Sequence, residues 1–292
     1  KRGTEGNLKI DNHANADILS QAFRYIQKYL GKIIVIKYGG NAMQTPELVE
    51  SVINDVVLMS QIGIKVVLVH GGGPDISETL EKMGMASQFI NGLRQTDEET
   101  VKVVQMVLAG KNNKDLVNLI HKSGGKALGL CGIDGKMIQA EKLVSEADLG
   151  FVGEITGIET DAILGTLASG YIPVIATLGS DEQGNIYNIN ADTAAAYIAG
   201  ALQAENLIMM TDVRGLLRDK DNADTLISAV SVSEVAQLMH EKIVTGGMIP
   251  KIESCVLAVR EGVTKAFIID GRISHAILIE MMTDEGIGTM FY

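Results

Sequence analysis

The sequence predicts an α/β fold built on a mainly parallel sheet, and three observations predict it. Short β-branched apolar runs such as Ile33-Ile34-Val35-Ile36 and Val66-Val67-Leu68-Val69 recur along the chain. Each of these two runs ends in glycines, Gly39-Gly40 and Gly71-Gly72-Gly73, and each glycine turn leads into a stretch of helical periodicity. Strand, glycine turn and helix in succession put the turns on the carboxyl edge of a parallel sheet, where open α/β sheets bind ligands.

Taken in order, residues 15–30 place Ile18, Leu19, Ala22, Phe23, Ile26 and Leu30 at helical spacing, an amphipathic helix whose default is to pack on its own core. The first strand ends in Lys37-Tyr38-Gly39-Gly40. Thr45 reads as a helix N-cap and Pro46 as the first helical residue, followed by Leu48, Val52, Val56 and Met59, with Gly63 as the stop. The second strand ends at His70, and Gly71-Gly72-Gly73-Pro74 opens a helix through Asp75-Ile76-Ser77-Glu78. Glycines let backbone amides approach an anion with no Cβ in the way, and a helix N-terminus adds free N–H groups and a positive dipole end, so this turn is a candidate cradle for a phosphate or carboxylate. After Gln95-Thr96-Asp97 the pattern predicts one helix through Val101, Val104 and Val107, then a second over 114–122 ending at Gly124-Gly125. Residues 126–160 read as short strands and turns such as Gly132-Ile133-Asp134-Gly135, and the runs 171–176 and 207–212 as two further strands, the first of them buried. With no tandem repeat and no low-complexity linker, any two lobes must share one sheet or a close interface.

Composition bounds the function. A chain of 292 residues with 46% hydrophobic content can bury a full core as one large domain or two lobes. It has no apolar run near the roughly 18 residues of a membrane span, no apolar h-region of a secretory signal, and only Cys131 and Cys255, too few for a disulfide framework. The expected compartment is therefore reducing: the cytoplasm, or a plastid stroma had a transit peptide been removed. The net charge of −11 argues against nucleic acid and against an anionic membrane as partners. If the ligand is a phosphate, the few cations at glycine turns must bind it, which singles out Lys37, Arg94 and Lys251.

Two further constellations carry chemistry. In Tyr187-Asn188-Ile189-Asn190-Ala191-Asp192, alternation puts Asn188, Asn190 and Asp192 on one side of an extended segment ahead of an Ala-rich helix. Asp192 is either the N-cap of that helix or a ligand-facing carboxylate. In Gly246-Gly247-Met248-Ile249-Pro250-Lys251, Pro250 can open a helix with an apolar face of Ile252, Cys255, Val256 and Val259. Lys251 then sits at a helix N-terminus, where a cation gains nothing from the dipole, and an anion shared with the amides explains it better. The bland alternative for each lysine is a snorkelling surface residue.

In order along residues 31–292, Lys37-Tyr38-Gly39-Gly40, His70-Gly71-Gly72-Gly73-Pro74, Asn91-Gly92-Leu93-Arg94, Asn188-Ile189-Asn190-Ala191-Asp192, Thr211-Asp212-Val213-Arg214-Gly215 and Gly246-Gly247-Met248-Ile249-Pro250-Lys251 resemble the acetylglutamate kinases of the amino acid kinase family. The resemblance implies a three-layer αβα sandwich around the parallel sheet, with a regulatory helix over 1–30, an acetylglutamate-binding lobe over 31–203 and a nucleotide-binding lobe over 204–292. It implies transfer of the ATP γ-phosphoryl group to the side-chain carboxylate of N-acetyl-L-glutamate, on the way to arginine, with Mg²⁺ held by the ATP phosphates rather than by a protein metal site. By similarity Lys37 and Lys251 stabilise the transition state and Asp192 orients both, while Gly39, Gly40 and Gly72 cradle the phosphoryl group. Gly72, Gly73, Arg94, Asn188 and Asn190 would hold the acetylated amino acid. Thr211, Asp212, Val213, Gly215, Leu216 and Leu217, with Ile243, Val244 and Thr245, would meet the nucleotide.

The arginine-inhibited members are similar in carrying an N-terminal helix that links dimers into a ring-shaped hexamer. On that likeness Tyr25, His275, Glu280, Gly286 and Gly288 would enclose L-arginine as effector, and a nitrogen-signalling PII protein is an implied partner in some members. Chemistry agrees with the kinase reading: a carboxylate with a pKa of about 4.3 needs no general base, and the obstacle is repulsion between anions, which lysines and glycine amides relieve. The sequence shows no G-x-S-x-G to accompany His70-Gly71-Gly72-Gly73 as a hydrolase oxyanion loop, no P-loop and no G-x-G-x-x-G. A sensor that had kept only the fold would lack a lysine or the aspartate, and all three are present. Another amino acid kinase with a different carboxylate or carbamate acceptor is the nearest rival, with Arg94 and Asn188 against it.

Overall fold

The computed structural model describes residues 12–39, 45–219 and 222–292. Helix α1 (Asn12–Tyr29) leads into β1 (Ile33–Tyr38), α2 (Pro46–Gln61), β2 (Lys65–His70) and α3 (Gly73–Lys82). A hairpin of β3 (Phe89–Ile90) and β4 (Leu93–Arg94) precedes α4 (Glu98–Gln105), a π-helical segment (Met106–Asn112), α5 (Asn113–Lys122) and β5 (Ala127–Cys131). Then come β6 (Ile138–Lys142), β7 (Gly153–Ile158), α6 (Asp161–Ala168), β8 (Ile172–Ala176), β9 (Leu178–Ser180), β10 (Ile186–Asn188) and α7 (Ala191–Ala201). The remainder is β11 (Asn206–Thr211), β12 (Ala229–Val230), α8 (Val235–His240), α9 (Met248–Arg260), β13 (Lys265–Asp270), α10 (Ala276–Met282) and β14 (Thr289–Phe291).

The main sheet has 8 strands in the order β12-β14-β13-β11-β1-β2-β8-β5. The run from β13 to β5 is parallel throughout, and β14 pairs antiparallel with β13 at one side. Parallel strands covered on both faces need apolar side chains on both, which is why the strand sequences are continuous apolar runs rather than alternating ones. Along β1, Ile34, Ile36 and Tyr38 join one core with residues of α2, α5 and α10, and Val35 joins the other with residues of α6, α7 and α9. Strand β11 divides likewise, Ile208 and Met210 to the first core and Leu207 and Met209 to the second. The result is a three-layer αβα sandwich. Strands from 31–203 and 204–292 meet where β1 pairs with β11, so one sheet runs through both halves. A smaller sheet, β10-β9-β6-β7, continues from the carboxyl end of β8 and returns the chain into α7. Among the described residues no helix is long and apolar enough to cross a membrane.

The structure departs from the sequence reading in three places. The pattern predicts separate helices, one through Val101, Val104 and Val107 and one over 114–122, yet α4, the π segment and α5 form one unbroken helical run. Gly110 and Asn112-Asn113 between them do not break the helix, and the wider π turn lays Leu108 and Asn112 against Gly72, where a Cβ would lie 2.7 Å from Leu108 Cδ2 and 2.3 Å from Asn112 Nδ2. Second, the extended segment stops at Asn188, and the N-cap of α7 is Asn190, not Asp192: the Asn190 side chain accepts from the amides of Asp192 and Thr193 at 2.9 and 3.1 Å. Asp192 is thereby inside the helix with its side chain released. Third, α3 begins at Gly73, one residue before Pro74, and α9 at Met248, two before Pro250.

Helix α1 docks by its last turns. Tyr29 is buried and Tyr25 and Ile26 pack on the core that holds α10, whereas Phe23 remains 57% exposed. The Gln21 amide donates to one oxygen of Asp284 at 2.6 Å, and the Tyr25 hydroxyl donates to the other.

Candidate active site

Parallel pairing in register, with Tyr38 opposite His70, brings the two glycine turns side by side at the carboxyl edge. They are close enough that a Cβ on Gly39 would lie 3.6 Å from the Gly71 amide nitrogen and 3.7 Å from Lys37 Nζ. Gly40 lies outside the described residues. Lys37 points to Asp192 in the first turn of α7, with Nζ 2.7 Å from Oδ1. Lys251, in the first turn of α9, donates to Oδ2 of the same carboxylate at 3.4 Å. Residues Ala194, Ala195 and Ala196 of α7 are fully buried and small, which lets α7 pack tightly between β1 and α9.

The Lys37 side chain is 10% exposed and that of Lys251 is 23%, so neither is a solvated surface lysine. Burial pushes the Asp192 carboxyl up, but the two ammonium groups beside it outweigh burial and hold it below the ordinary carboxylate range. Oδ1 receives no aligned hydrogen bond, so its 2.7 Å contact with Lys37 is a close ion pair rather than a directed bond.

On the β2 side lies a cavity of about 180 Å³ walled by Gly71, Gly72, Gly73, Arg94, Asn188 and Asn190 among others. Arg94 is 5% exposed. Its guanidinium donates to the Gly73 carbonyl at 2.9 Å, to Ser77 Oγ at 2.8 Å and to Ser87 Oγ, and stacks 4.5 Å from the Phe89 ring centre. Among the described residues no carboxylate pairs with it. An unpaired buried cation costs on the order of several kcal/mol, so the position calls for an anionic ligand. Asn188 offers its amide to the same space, with Nδ2 3.4 Å from Thr96 Oγ1. Asn190 lines it too, but its carbonyl oxygen is committed to the helix cap.

On the β11 side a second cavity, of about 380 Å³, is lined by Asp212, Val213, Gly215, Leu216, Leu217, Ile243 and Thr245, together with Gly247, Met248 and Lys251. Gly215 has φ +138°, and a Cβ there would lie 2.6 Å from Thr289 Oγ1, so the turn after β11 requires glycine. Two expected residues do not face this cavity. Val244 is buried in the hydrophobic core, because the apolar interior under α8 and α9 claims its side chain. Thr211 turns its hydroxyl back on its own loop, accepting from the Val213 amide at 3.2 Å.

The residues assigned to an effector fall elsewhere, around α10. Oε2 of Glu280 accepts from the amides of Ile287 and Gly288 at 2.8 and 3.0 Å, and Gly286 packs against the same carboxylate. His275, at a left-handed φ of +57°, reaches the other way, with Nδ1 2.6 Å from the buried Asp55 of α2. Tyr25 meets Asp284 rather than Glu280.

The model of the amino acid kinase family matches residues 32–270, which hold the whole sheet except β14 and every one of these active-site groups. The chain belongs to the amino acid kinase family. It is 56% identical over 283 residues to the acetylglutamate kinase of Brachyspira hyodysenteriae, covering 97% of this chain and 98% of that one. It is 54% identical over 279 residues to the acetylglutamate kinase of Clostridioides difficile, covering 96% and 97%. Among solved structures, the N-acetylglutamate synthase of Neisseria gonorrhoeae in complex with coenzyme A and N-acetyl-glutamate superposes with a TM-score of 0.81 at 26% identity, over 94% of this chain and 63% of that one. The carbamate kinase of Giardia lamblia, at 18% identity and a TM-score of 0.61 over 89% and 98% of the two chains, shares the fold.

Among the described residues no group of three His, Cys, Asp or Glu side chains could hold an ion, and Asp192 already faces two ammonium groups. The neighbours that seat Arg94 went unread in the sequence, because Ser77, Ser87 and Phe89 belong to no motif and only tertiary packing brings them to the guanidinium. Gly247 and Met248 stood inside a quoted motif but were not singled out, since a backbone-and-thioether wall has no sequence signature.

Proposed function

We propose that this protein transfers the γ-phosphoryl group of ATP to the side-chain carboxylate of N-acetyl-L-glutamate, giving N-acetyl-L-glutamyl 5-phosphate, in arginine biosynthesis. The observation that carries the reading is one buried carboxylate, Asp192, holding Lys37 and Lys251 between a small cavity with an unpaired buried arginine and a larger apolar one. Arg94 takes the α-carboxylate of the acceptor, and Asn188 its acetylated amide. The larger cavity takes the nucleotide, so residues 31–203 serve the acceptor and 204–292 the donor. Mg²⁺ rides on the ATP phosphates, where it neutralises charge.

The acceptor carboxylate is ionised at neutral pH and attacks without a general base. The barrier is charge repulsion, and the lysines reduce it from the two sides, Lys37 beside the glycine turns and Lys251 at the nucleotide cavity. Asp192 sets the spacing of the two ammonium groups. An acceptor screen with ATP and Mg²⁺, trapping acyl phosphate as hydroxamate, tests this. Product is expected with N-acetyl-L-glutamate and little with free glutamate, aspartate or carbamate; equal or greater product with aspartate overturns it.

A regulatory reading has one observation in its favour: α1 is tied to the loop after α10 through Gln21, Tyr25 and Asp284, next to the loop that Glu280 organises. In this reading free L-arginine binds there, and α1 joins homodimers into a hexamer. Removal of residues 1–28 then leaves an active dimer that no longer responds to arginine; a truncated protein that still sediments as a hexamer refutes it.

A further inference from the structure

The acceptor-side glycine turn rests on a buried histidine whose proton position can be worked out. His70, the last residue of β2, is fully buried. Its Nε2 lies 3.1 Å from Nδ2 of Asn113, at the start of α5, and its Nδ1 lies 3.0 Å from the carbonyl oxygen of Gly71. The orientation of the Asn113 amide is fixed independently. Nδ2 also lies 2.8 Å from the Val174 carbonyl and 3.1 Å from the Leu130 carbonyl, while Oδ1 receives the Lys114 ammonium at 3.0 Å. Turning the amide over would set its oxygen against two carbonyl oxygens and its NH₂ against a cation.

An NH₂ group, its two hydrogens shared among the two carbonyls and Nε2, therefore faces Nε2; a proton on Nε2 would point at that donor, so the single imidazole proton sits on Nδ1. From there it donates to Gly71 O. The peptide joining Gly71 to Gly72 is trans, so its C=O and N–H point in opposite directions. A carbonyl held inward by the imidazole turns the Gly72 N–H away from it, toward the cavity that Gly71, Gly72 and Gly73 wall. The other constraints on this turn act on different atoms: Gly71 N donates to Tyr38 O at 3.2 Å, and Leu108 and Asn112 of the π segment fill the space where a Cβ of residue 72 would stand.

We infer that His70 and Asn113 are positioning residues for the phosphoryl-acceptor site, acting as a relay in which Asn113 fixes the imidazole tautomer and the imidazole fixes the peptide whose N–H faces the transferring group. Burial supports it by pushing the imidazole down to about 4, which keeps the ring neutral with one proton to place. The relay links two residues 43 positions apart and explains a buried polar pair that the transfer chemistry itself does not use. It rests on the kinase reading only for the identity of the oxygen that the Gly72 amide meets.

Two variants separate the imidazole nitrogens. The side chain of Asn can set an amide NH₂ where Nδ1–H stands, whereas that of Gln reaches the place of Nε2 and leaves Gly71 O without its donor. His70→Gln is expected to lower kcat on the order of tenfold or more with the KM for ATP little changed, the scale for misaiming one preorganised amide. His70→Asn is expected to retain several-fold more kcat than His70→Gln, even where the two have equal melting temperatures. Equal kcat in both variants, or a His70→Gln enzyme at the full rate, overturns the relay. Nitrogen-15 NMR of the wild-type imidazoles, with His70 assigned by its loss in His70→Asn, reads the tautomer whether or not the enzyme phosphorylates acetylglutamate. A protonated Nδ1 and a bare Nε2 are expected, and the opposite tautomer overturns the inference while leaving the kinase reading intact.

Discussion

The two cavities that flank Asp192 are built on different principles. The acceptor side is small and directional, with a buried guanidinium seated by two serine hydroxyls and a carbonyl, a positioned asparagine amide and glycine N–H groups. The donor side is twice as large and mostly apolar, with Val213, Leu216, Leu217, Ile243 and Met248 around a turn that glycine keeps open. A directional site rejects a wrong ligand by leaving buried polar groups unpaired, whereas an apolar slot discriminates by only about 1–3 kcal/mol per methylene. Selectivity for the acceptor is thus concentrated in a few groups, while grip on the nucleotide is spread over a surface. The lysine pair, joined through Asp192, stands between them.

That pair gives the largest expected effect. Lys37→Ala and Lys251→Ala should each lower kcat by about 10² or more, but only Lys251→Ala should also raise the KM for ATP, since Lys251 alone lines the donor cavity. Steady-state kinetics with each substrate varied would show it, and a symmetrical effect on both KM values would erase the distinction between the sides.

Support beneath the two cavities should differ in its response to pH. His70 lies under the acceptor side and is lowered from 6.5 to about 4, chiefly by burial, with the bond to Gly71 opposing and the nearby Lys114 charge adding a smaller push downward. The unfolded chain takes up a proton over that interval that the folded chain refuses. Stability should therefore fall as pH drops from 6.5 toward 4, by on the order of 3 kcal/mol for this group, and the loss should be complete below 4. Denaturant melts of wild type and His70→Asn across this range would measure it, the variant losing that part of the slope.

Cross-comparison of single contacts is the next smaller effect. Arg94→Lys should raise the KM for acetylglutamate by about tenfold or more, because one ammonium cannot reproduce a planar fork that also meets two hydroxyls. Met248→Leu, a volume-conserving change on the donor wall, should cost less than about 1.5 kcal/mol. A nucleotide KM as sensitive to Met248→Leu as the acceptor KM is to Arg94→Lys would break the contrast.

The most local test compares neighbours within the acceptor turn. Gly72→Ala drives a methyl into Leu108 and Asn112 and should destabilise by about 1–3 kcal/mol, while a Cβ on Gly73 meets nothing within 4 Å. Gly73→Ala should melt like wild type, and any change it makes should appear in the acceptor KM alone.

What the sequence revealed were residues whose chemistry was odd for their place. Lysines beside glycine turns, and a lysine at a helix start, stand out against propensity and charge rules before any partner is known. The glycine turns themselves were legible because strand and helix periodicities bracket them. Choices between equivalent neighbours were not. Asn190 and Asp192 are both good N-caps, and only the ion pairs of Asp192 with lysines 155 residues upstream and 59 downstream decide which one caps. The π turn was invisible for a related reason: it widens an otherwise ordinary helix to fit Gly72, a residue from another segment, so its cause lies outside its own sequence.

The pairing of β11 with β1 and of β1 with β2 has a mechanical consequence. Strands in one ladder are about 4.8 Å apart, so the roots of the donor and acceptor loops are anchored about 10 Å from each other, with the Lys37 strand midway. That gap is a ruler made of backbone hydrogen bonds, and it cannot lengthen without breaking them. Approach of the two substrates must come from the loops above the ruler or from added twist along it, so the compliance of the enzyme is torsional where a two-domain clamp would be hinged.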